Sequence, residues 1–164
     1  MARSQKEPKV AEVTVSPFVC KPPENHIVKI LETGVVYAII AQIIHSLGAM
    51  LSMDFYTNPA YFTVWSPLMI PPMANFFYYS IGFGFVTGVL LAMAYSVVHC
   101  CLPGRTAMRR GVVYGTLVFL VAGIPGALSM YLLINLPVML ILAWAVENLI
   151  IYLIGGALLG FINK

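Results

Sequence analysis

Four polar residues within long apolar stretches are the strongest candidates for chemistry in this chain. Gln42 and His45 lie in the first apolar stretch, and Glu147 and Asn148 lie in the last. An ionisable side chain at the centre of a bilayer costs roughly 2.5 kcal/mol or more, so such residues are rare and need partners. Imidazole and carboxylate groups handle protons and bind polar ligands. The alternative is a hydrogen-bonded pair that only fixes the register of two helices.

A weaker group of potential metal ligands lies toward one predicted side of the membrane. Its spacing matches no compact zinc motif, and neighbouring residues of a helix point about 100° apart, so we expect no metal site. His99 and His45 differ in predicted depth by more than roughly 10 Å, which excludes a haem held between them. The group of potential metal ligands comprises Cys20, His26, His99, Cys100 and Cys101.

A separate functional class is a membrane redox enzyme that would use the vicinal Cys100 and Cys101 together with a quinone.

Signatures of soluble enzymes are absent from the sequence. It contains no HExxH, no GxSxG and no P-loop, so an activity of its own is not expected. We expect no cofactor within this chain alone, and we expect bound lipid. The only dense basic patch is Arg105, Arg109 and Arg110, which suits contact with lipid head groups rather than with nucleic acid.

The composition predicts one all-α integral membrane domain. Of 164 residues 60% are hydrophobic and only 9% are charged, whereas soluble domains carry about a quarter charged residues. The proline-rich segment 1–30 is predicted to be a polar cytoplasmic N-terminal tail, and 31–164 a four-helix transmembrane domain. The predicted helices are about 33–53, 75–102, 111–135 and 138–162, each long enough to cross roughly 30 Å of hydrocarbon.

Prolines set the connections between these helices. The stretch 54–73 combines four prolines with many aromatic residues and predicts an interfacial loop with one short helix. Pro125 predicts a kink inside the third helix, which lipid tolerates when neighbours satisfy the freed carbonyl. Pro137 leaves room only for a tight turn, so helices three and four should form a hairpin.

The basic residues fix the predicted orientation. All nine lie in the tail, the second loop or the C-terminus, and an even number of spans places those regions on one side. The positive-inside rule makes that side the cytoplasm. We therefore expect both termini in the cytoplasm and a location in the inner or cytoplasmic membrane of a bacterium or archaeon. The nine residues are Arg3, Lys6, Lys9, Lys21, Lys29, Arg105, Arg109, Arg110 and Lys164.

Depth predicts that the first and fourth helices pack together. His45 lies roughly 18 Å from the cytoplasmic edge, and Glu147 roughly 14 Å from the outer edge. In a core of about 30 Å these levels nearly coincide. We therefore expect the imidazole and the carboxylate to face each other or to share one polar cluster near the midplane.

Three pairs of glycines predict close helix packing. Each pair has the spacing GxxxG, which places both glycines on one helix face and lets another backbone approach. Whether the partner helix belongs to this chain or to another is left open by the sequence. The pairs are Gly84 with Gly88, Gly111 with Gly115, and Gly156 with Gly160.

The leading functional hypothesis is a non-catalytic subunit of a larger membrane complex, such as an energy-transducing oxidoreductase. It follows from the few polar groups and the glycine faces. Expected partners are membrane lipids and either other membrane subunits or further copies of this chain. The alternative is a small oligomeric transporter or channel in which His45 and Glu147 line a midplane path.

Overall fold

The computed structural model describes residues 26–61, 64–65 and 75–163, and within them it shows an all-α protein. Four helical segments are long and apolar enough to span a membrane, which confirms the predicted four-span membrane bundle. The third span consists of two α-helices joined by a π-helical turn. The elements are α1 (His26–Leu51), α2 (Met53–Thr57), a 3-10 turn (Pro59–Tyr61), α3 (Phe76–Val98), α4 (Ala107–Val118), the π turn (Phe119–Gly123), α5 (Ile124–Leu133) and α6 (Val138–Ile162).

Two helices begin earlier than the hydropathy of the sequence predicts. Helix α1 begins at His26 rather than near residue 33. The remainder of the predicted tail, with Cys20, lies outside the described residues. Helix α4 begins at Ala107 rather than 111, because the Thr106 side chain caps it by accepting a hydrogen bond from the Arg109 N–H at 3.2 Å. Hydropathy marks the apolar part of a helix, whereas capping and charged first turns extend it into the interface.

The third span is interrupted one turn before the position that the sequence predicts for a kink. The N–H of Ile124 donates to the carbonyl of Phe119, five residues earlier, which defines the π turn. Pro125 follows directly. Its ring has no N–H and clashes with the carbonyl four residues earlier, and the wider turn accommodates both effects. The predicted hairpin is present, because only residues 134–137 separate α5 from α6.

Helices α4 and α6 pack with their backbones in contact. A Cβ added at Gly156 would collide with the carbonyl oxygen of Gly111, and one at Gly115 would collide with the carbonyl oxygen of Tyr152. A Cβ at Gly160 would likewise strike the backbone of α4. The glycine faces of the third and fourth spans are therefore partners within one chain.

Helices α1 and α3 form a second close pair. A Cβ added at Gly88 would lie 3.0 Å from Cα of Gly34 and 2.8 Å from Cβ of Tyr37. One added at Gly84 would lie 3.2 Å from Cα of Ala38. The two pairs meet where Tyr37 of α1 packs against Gly155 of α6. The open question from the sequence is thus answered, since all three glycine pairs have their partners inside this chain.

All four spans meet at the end of the bundle that carries Arg105, Arg109 and Arg110, which we call the basic end. A buried cluster there takes one or more residues from each span. Within it, the rings of Tyr95 and Tyr114 lie 5.3 Å apart, and the Tyr114 hydroxyl donates to the carbonyl of Leu91 at 3.0 Å. Helix α3 has little contact with α6. A second buried cluster lies around the start of α6, at the opposite end, so buried packing is present at both ends of the bundle.

We expect Gly156→Ala to destabilise the protein by about 1–3 kcal/mol, because the new methyl group overpacks a contact between two backbones. The measurement is the thermal unfolding midpoint of the purified protein in detergent.

Gly82→Ala is the matched control, because a Cβ at Gly82 meets no atom within 4 Å. Alanine there should leave the midpoint unchanged or raise it slightly, since alanine favours helix more than glycine does. Equal midpoints for the two variants would contradict the assigned contact.

Candidate functional site

Helices α1 and α6 bring the two ionisable residues of the apolar stretches together. Nδ1 of His45 lies 3.1 Å from Oε2 of Glu147. When Nδ1 carries a proton, its N–H donates to the carboxylate. The predicted contact between the two side chains is confirmed, and their role as a functional site stays a prediction.

The level of this pair follows from its position in each helix. His45 lies six residues before Leu51, the last residue of α1, and Glu147 lies nine residues after Val138, the first residue of α6. At about 1.5 Å per residue, these distances are roughly 9 Å and 14 Å. The pair therefore lies in the half of the bundle opposite the basic end.

Gly48 makes the contact between the pair sterically possible. A Cβ added at Gly48 would collide with the carboxyl group of Glu147. Gly48 follows His45 by three residues and so shares its helix face. The carboxylate is held against the α1 backbone with 12% of the side chain exposed, whereas 45% of the His45 side chain is exposed. Sequence reasoning missed Gly48, although its spacing from the histidine was a usable signal.

A cavity of about 580 Å³ opens beside the pair, between α1, α3 and α6. All four polar residues singled out from the sequence line it, together with two serines and a wall of aromatic side chains. A second recess of about 450 Å³ shares part of this lining and extends toward the basic end. The polar lining residues are Gln42, His45, Ser46, Ser80, Glu147 and Asn148, and the aromatic ones are Tyr56, Phe76, Phe77 and Trp144.

Gln42 lines the cavity and carries one unpaired polar atom. Its amide nitrogen donates to Oγ of Ser46 at 3.3 Å. Its carbonyl oxygen is buried and has no hydrogen-bond partner among the described residues. Because this oxygen has almost no accessible surface, a molecule in the cavity does not reach it unless the side chain moves.

An aromatic cluster of Tyr56, Trp65 and Trp144 closes the end of the bundle opposite the basic end, which we call the aromatic end. Nε1–H of Trp144 donates to the Tyr56 hydroxyl at 2.7 Å, and the Trp65 ring lies 5.3 Å from the Tyr56 ring. Burial raises the pKa of Tyr56, so its hydroxyl stays neutral at physiological pH. From the sequence, the first-loop aromatics were expected only at the membrane interface. Their contact with α6 was not expected.

The weaker metal candidates lie away from the cavity where the structure describes them. Nδ1 of His99 lies 2.9 Å from the carbonyl of Ser96, and Nε2 lies 3.3 Å from Sγ of Cys100. Cys101 is a free, exposed thiol. Cys100 takes part in another interaction besides its contact with His99. Within residues 26–61, 64–65 and 75–163, no three His, Cys, Asp or Glu side chains lie close enough to hold a metal ion.

The basic patch lies at the surface of the basic end. Arg105 and Arg109 are exposed, and Nε–H of Arg110 donates to the carbonyl of Gly104 at 3.1 Å. This bond tethers the α3–α4 connection to the first turn of α4. Contact of the two exposed arginines with lipid head groups stays a prediction.

Comparison with known proteins yields no relative. No family model, no curated protein and no solved structure matches the chain.

We expect Gly48→Ala to displace the Glu147 carboxylate from His45, because the added methyl group occupies the same space. With ¹⁵N-labelled histidine side chains, the Nδ1 resonance of His45 should move in the same direction as it moves in Glu147→Gln.

Gly82→Ala serves again as the control and should leave the His45 resonance in place. If Gly48→Ala leaves the resonance unchanged while Glu147→Gln moves it, the steric role assigned to Gly48 is wrong.

Proposed function

We propose that the protein is a small membrane transporter whose substrate binds in the cavity beside His45 and Glu147. The observation that carries this proposal is an imidazole–carboxylate contact of 3.1 Å on the wall of a cavity of about 580 Å³. A pair that served only to fix helix register would be better placed in a packed contact. Here nearly half of the His45 side chain is exposed, and His45 is among the residues that line the cavity.

Glu147 needs a partner whether or not a substrate is bound. Its side chain is largely buried, and an unpaired buried carboxylate is strongly unfavourable. His45 supplies one partner, and a substrate that donates a hydrogen bond or carries positive charge supplies another. A substrate that bound at Oε2 would displace His45, so the two partners compete for this oxygen.

The packing of the helices allows the cavity to change access. Helices α1 and α3 form one close pair, and α4 and α6 form the other. The two pairs contact each other mainly along α1 and α6, where the Tyr37 ring lies against Gly155. Rocking of one pair against the other about this contact would change which end of the cavity is accessible, as alternating access requires.

Electrogenic transport in proteoliposomes tests this function with a panel of candidate solutes. Solid-supported membrane recordings would apply proton gradients and concentration jumps of inorganic cations, amino acids and organic amines. We expect currents from the natural protein and at least about a tenfold loss in the double variant His45→Ala/Glu147→Gln, since charged hydrogen bonds contribute about 1.5–3 kcal/mol each.

Glu32→Gln is the control, because Glu32 is an exposed carboxylate of α1 outside the cavity. It should leave the currents unchanged. Currents no larger than those of protein-free liposomes, or currents that persist in the double variant, would overturn the proposal.

A second candidate, a subunit of a larger membrane complex, is favoured by the outer surface of the third span. Helix α5 has no buried residue, and a Cβ at Gly126 meets no atom within 4 Å. An exposed glycine permits close approach of a helix from another protein. An energy-transducing oxidoreductase is one class of complex that would supply such a helix.

Purification in mild detergent tests the second candidate. We expect other membrane chains to copurify with the natural protein and to be lost from Gly126→Leu, whose side chain would block close approach. Elution as this chain alone, or only with its own copies, would reject the candidate.

A further inference from the structure

A crevice on the surface of the bundle adjoins the cavity. It measures about 440 Å³ and lies between α1 and α3. Gln42, Ser46 and Phe77 line both spaces, so these three side chains form the boundary between them. The other residues of the crevice are apolar and would face acyl chains in a membrane. They are Ile39, Ile43, Leu47 and Ile81.

The charge of the cavity selects the sign of its ligand. Glu147 lines the cavity, and within the part of the chain that the structure describes no lysine or arginine lines it. The described basic side chains outside it are Lys29 near the start of α1 and the three arginines of the basic end. An anion in the cavity would therefore meet a carboxylate and no permanent positive charge from the described residues, whereas a cation would replace His45 as the partner of Glu147.

The aromatic wall of the cavity also favours a positively charged ligand. Tyr56, Phe76, Phe77 and Trp144 line the cavity alongside the carboxylate. The face of an aromatic ring attracts organic cations, most strongly when both are removed from water. Ring faces and one carboxylate together suit a cation with an apolar body better than a small hydrated ion, which would lose its hydration shell.

We propose that the substrate is a lipophilic organic cation that enters from the bilayer through the crevice between α1 and α3. Its charged centre binds at Glu147 and the aromatic wall, and its apolar groups extend past Gln42 and Ser46 into the crevice. The inference deepens the proposed transport function and rests on it.

Two probes of one shape and opposite charge test the selection. Tetraphenylphosphonium and tetraphenylborate would be titrated into the purified full chain in detergent, with protein-free micelles as the blank. We expect saturable binding of the cation only. The affinity of Glu147→Gln for the cation should be at least about tenfold weaker, because this variant loses one charged interaction. Glu147→Asp, which keeps the charge, should retain more of the affinity, and Glu32→Gln should retain all of it.

A second pair of variants tests the route. In proteoliposomes, Ile43→Phe narrows the crevice and should slow association of tetraphenylphosphonium about tenfold, while its affinity in detergent stays within about twofold. Val35 lies two turns earlier on α1 and outside the crevice, so Val35→Phe should change neither the association rate nor the affinity. Equal association rates for the two variants would overturn the lateral route.

The outcomes separate this inference from the transport proposal. Absence of saturable cation binding, or equal binding of both probes, overturns the substrate class, and transport of another solute would then stand. Saturable, Glu147-dependent cation binding without any current overturns transport and leaves the ligand class in place.

Discussion

The backbone contact between α4 and α6 is the constraint on which the rest of the structure depends. Lipid removes the hydrophobic driving force between helices, so close packing must supply the stability of the bundle. Gly111 and Gly156 allow carbonyl groups of one helix to touch the other at the basic end. Toward the aromatic end the same helix α6 carries Trp144 and Glu147 instead of glycine. The cavity lies beside these larger side chains.

The free energy of placing a carboxylate in this setting explains the arrangement of its neighbours. Gly48 brings the α1 backbone against the carboxyl group of Glu147, and His45 satisfies one of its oxygens. One carbonyl oxygen of this region, that of Gln42, is buried and unpaired among the described residues. Leaving such a group unpaired costs about 1–3 kcal/mol, so the hydrogen bonds around the carboxylate do not satisfy every polar atom of the region.

The sequence predicts those features that depend on one helix at a time. Hydropathy identifies the four spans, and depth alone brings His45 and Glu147 to one level. Features that depend on how helices tilt against one another are not predictable in this way. The cavity is one, and the contact of Tyr56 with Trp144, 88 residues apart, is another. The start of α1 at His26 was not predicted for a different reason. The apolar run ends at the first charged residues, whereas the helix continues past them.

The third span shows how one chain segment serves both packing and the site. Its first half, α4, lies in backbone contact with α6, while its second half, α5, has no buried residue. The π turn before Pro125 separates them, and π turns change both the direction and the facing of the residues that follow. Beyond the turn, Met130 of α5 lines the cavity, and Ala127 of the same helix packs against the buried cluster at the start of α6. The third span therefore takes part in two different contacts with α6, one on each side of the π turn.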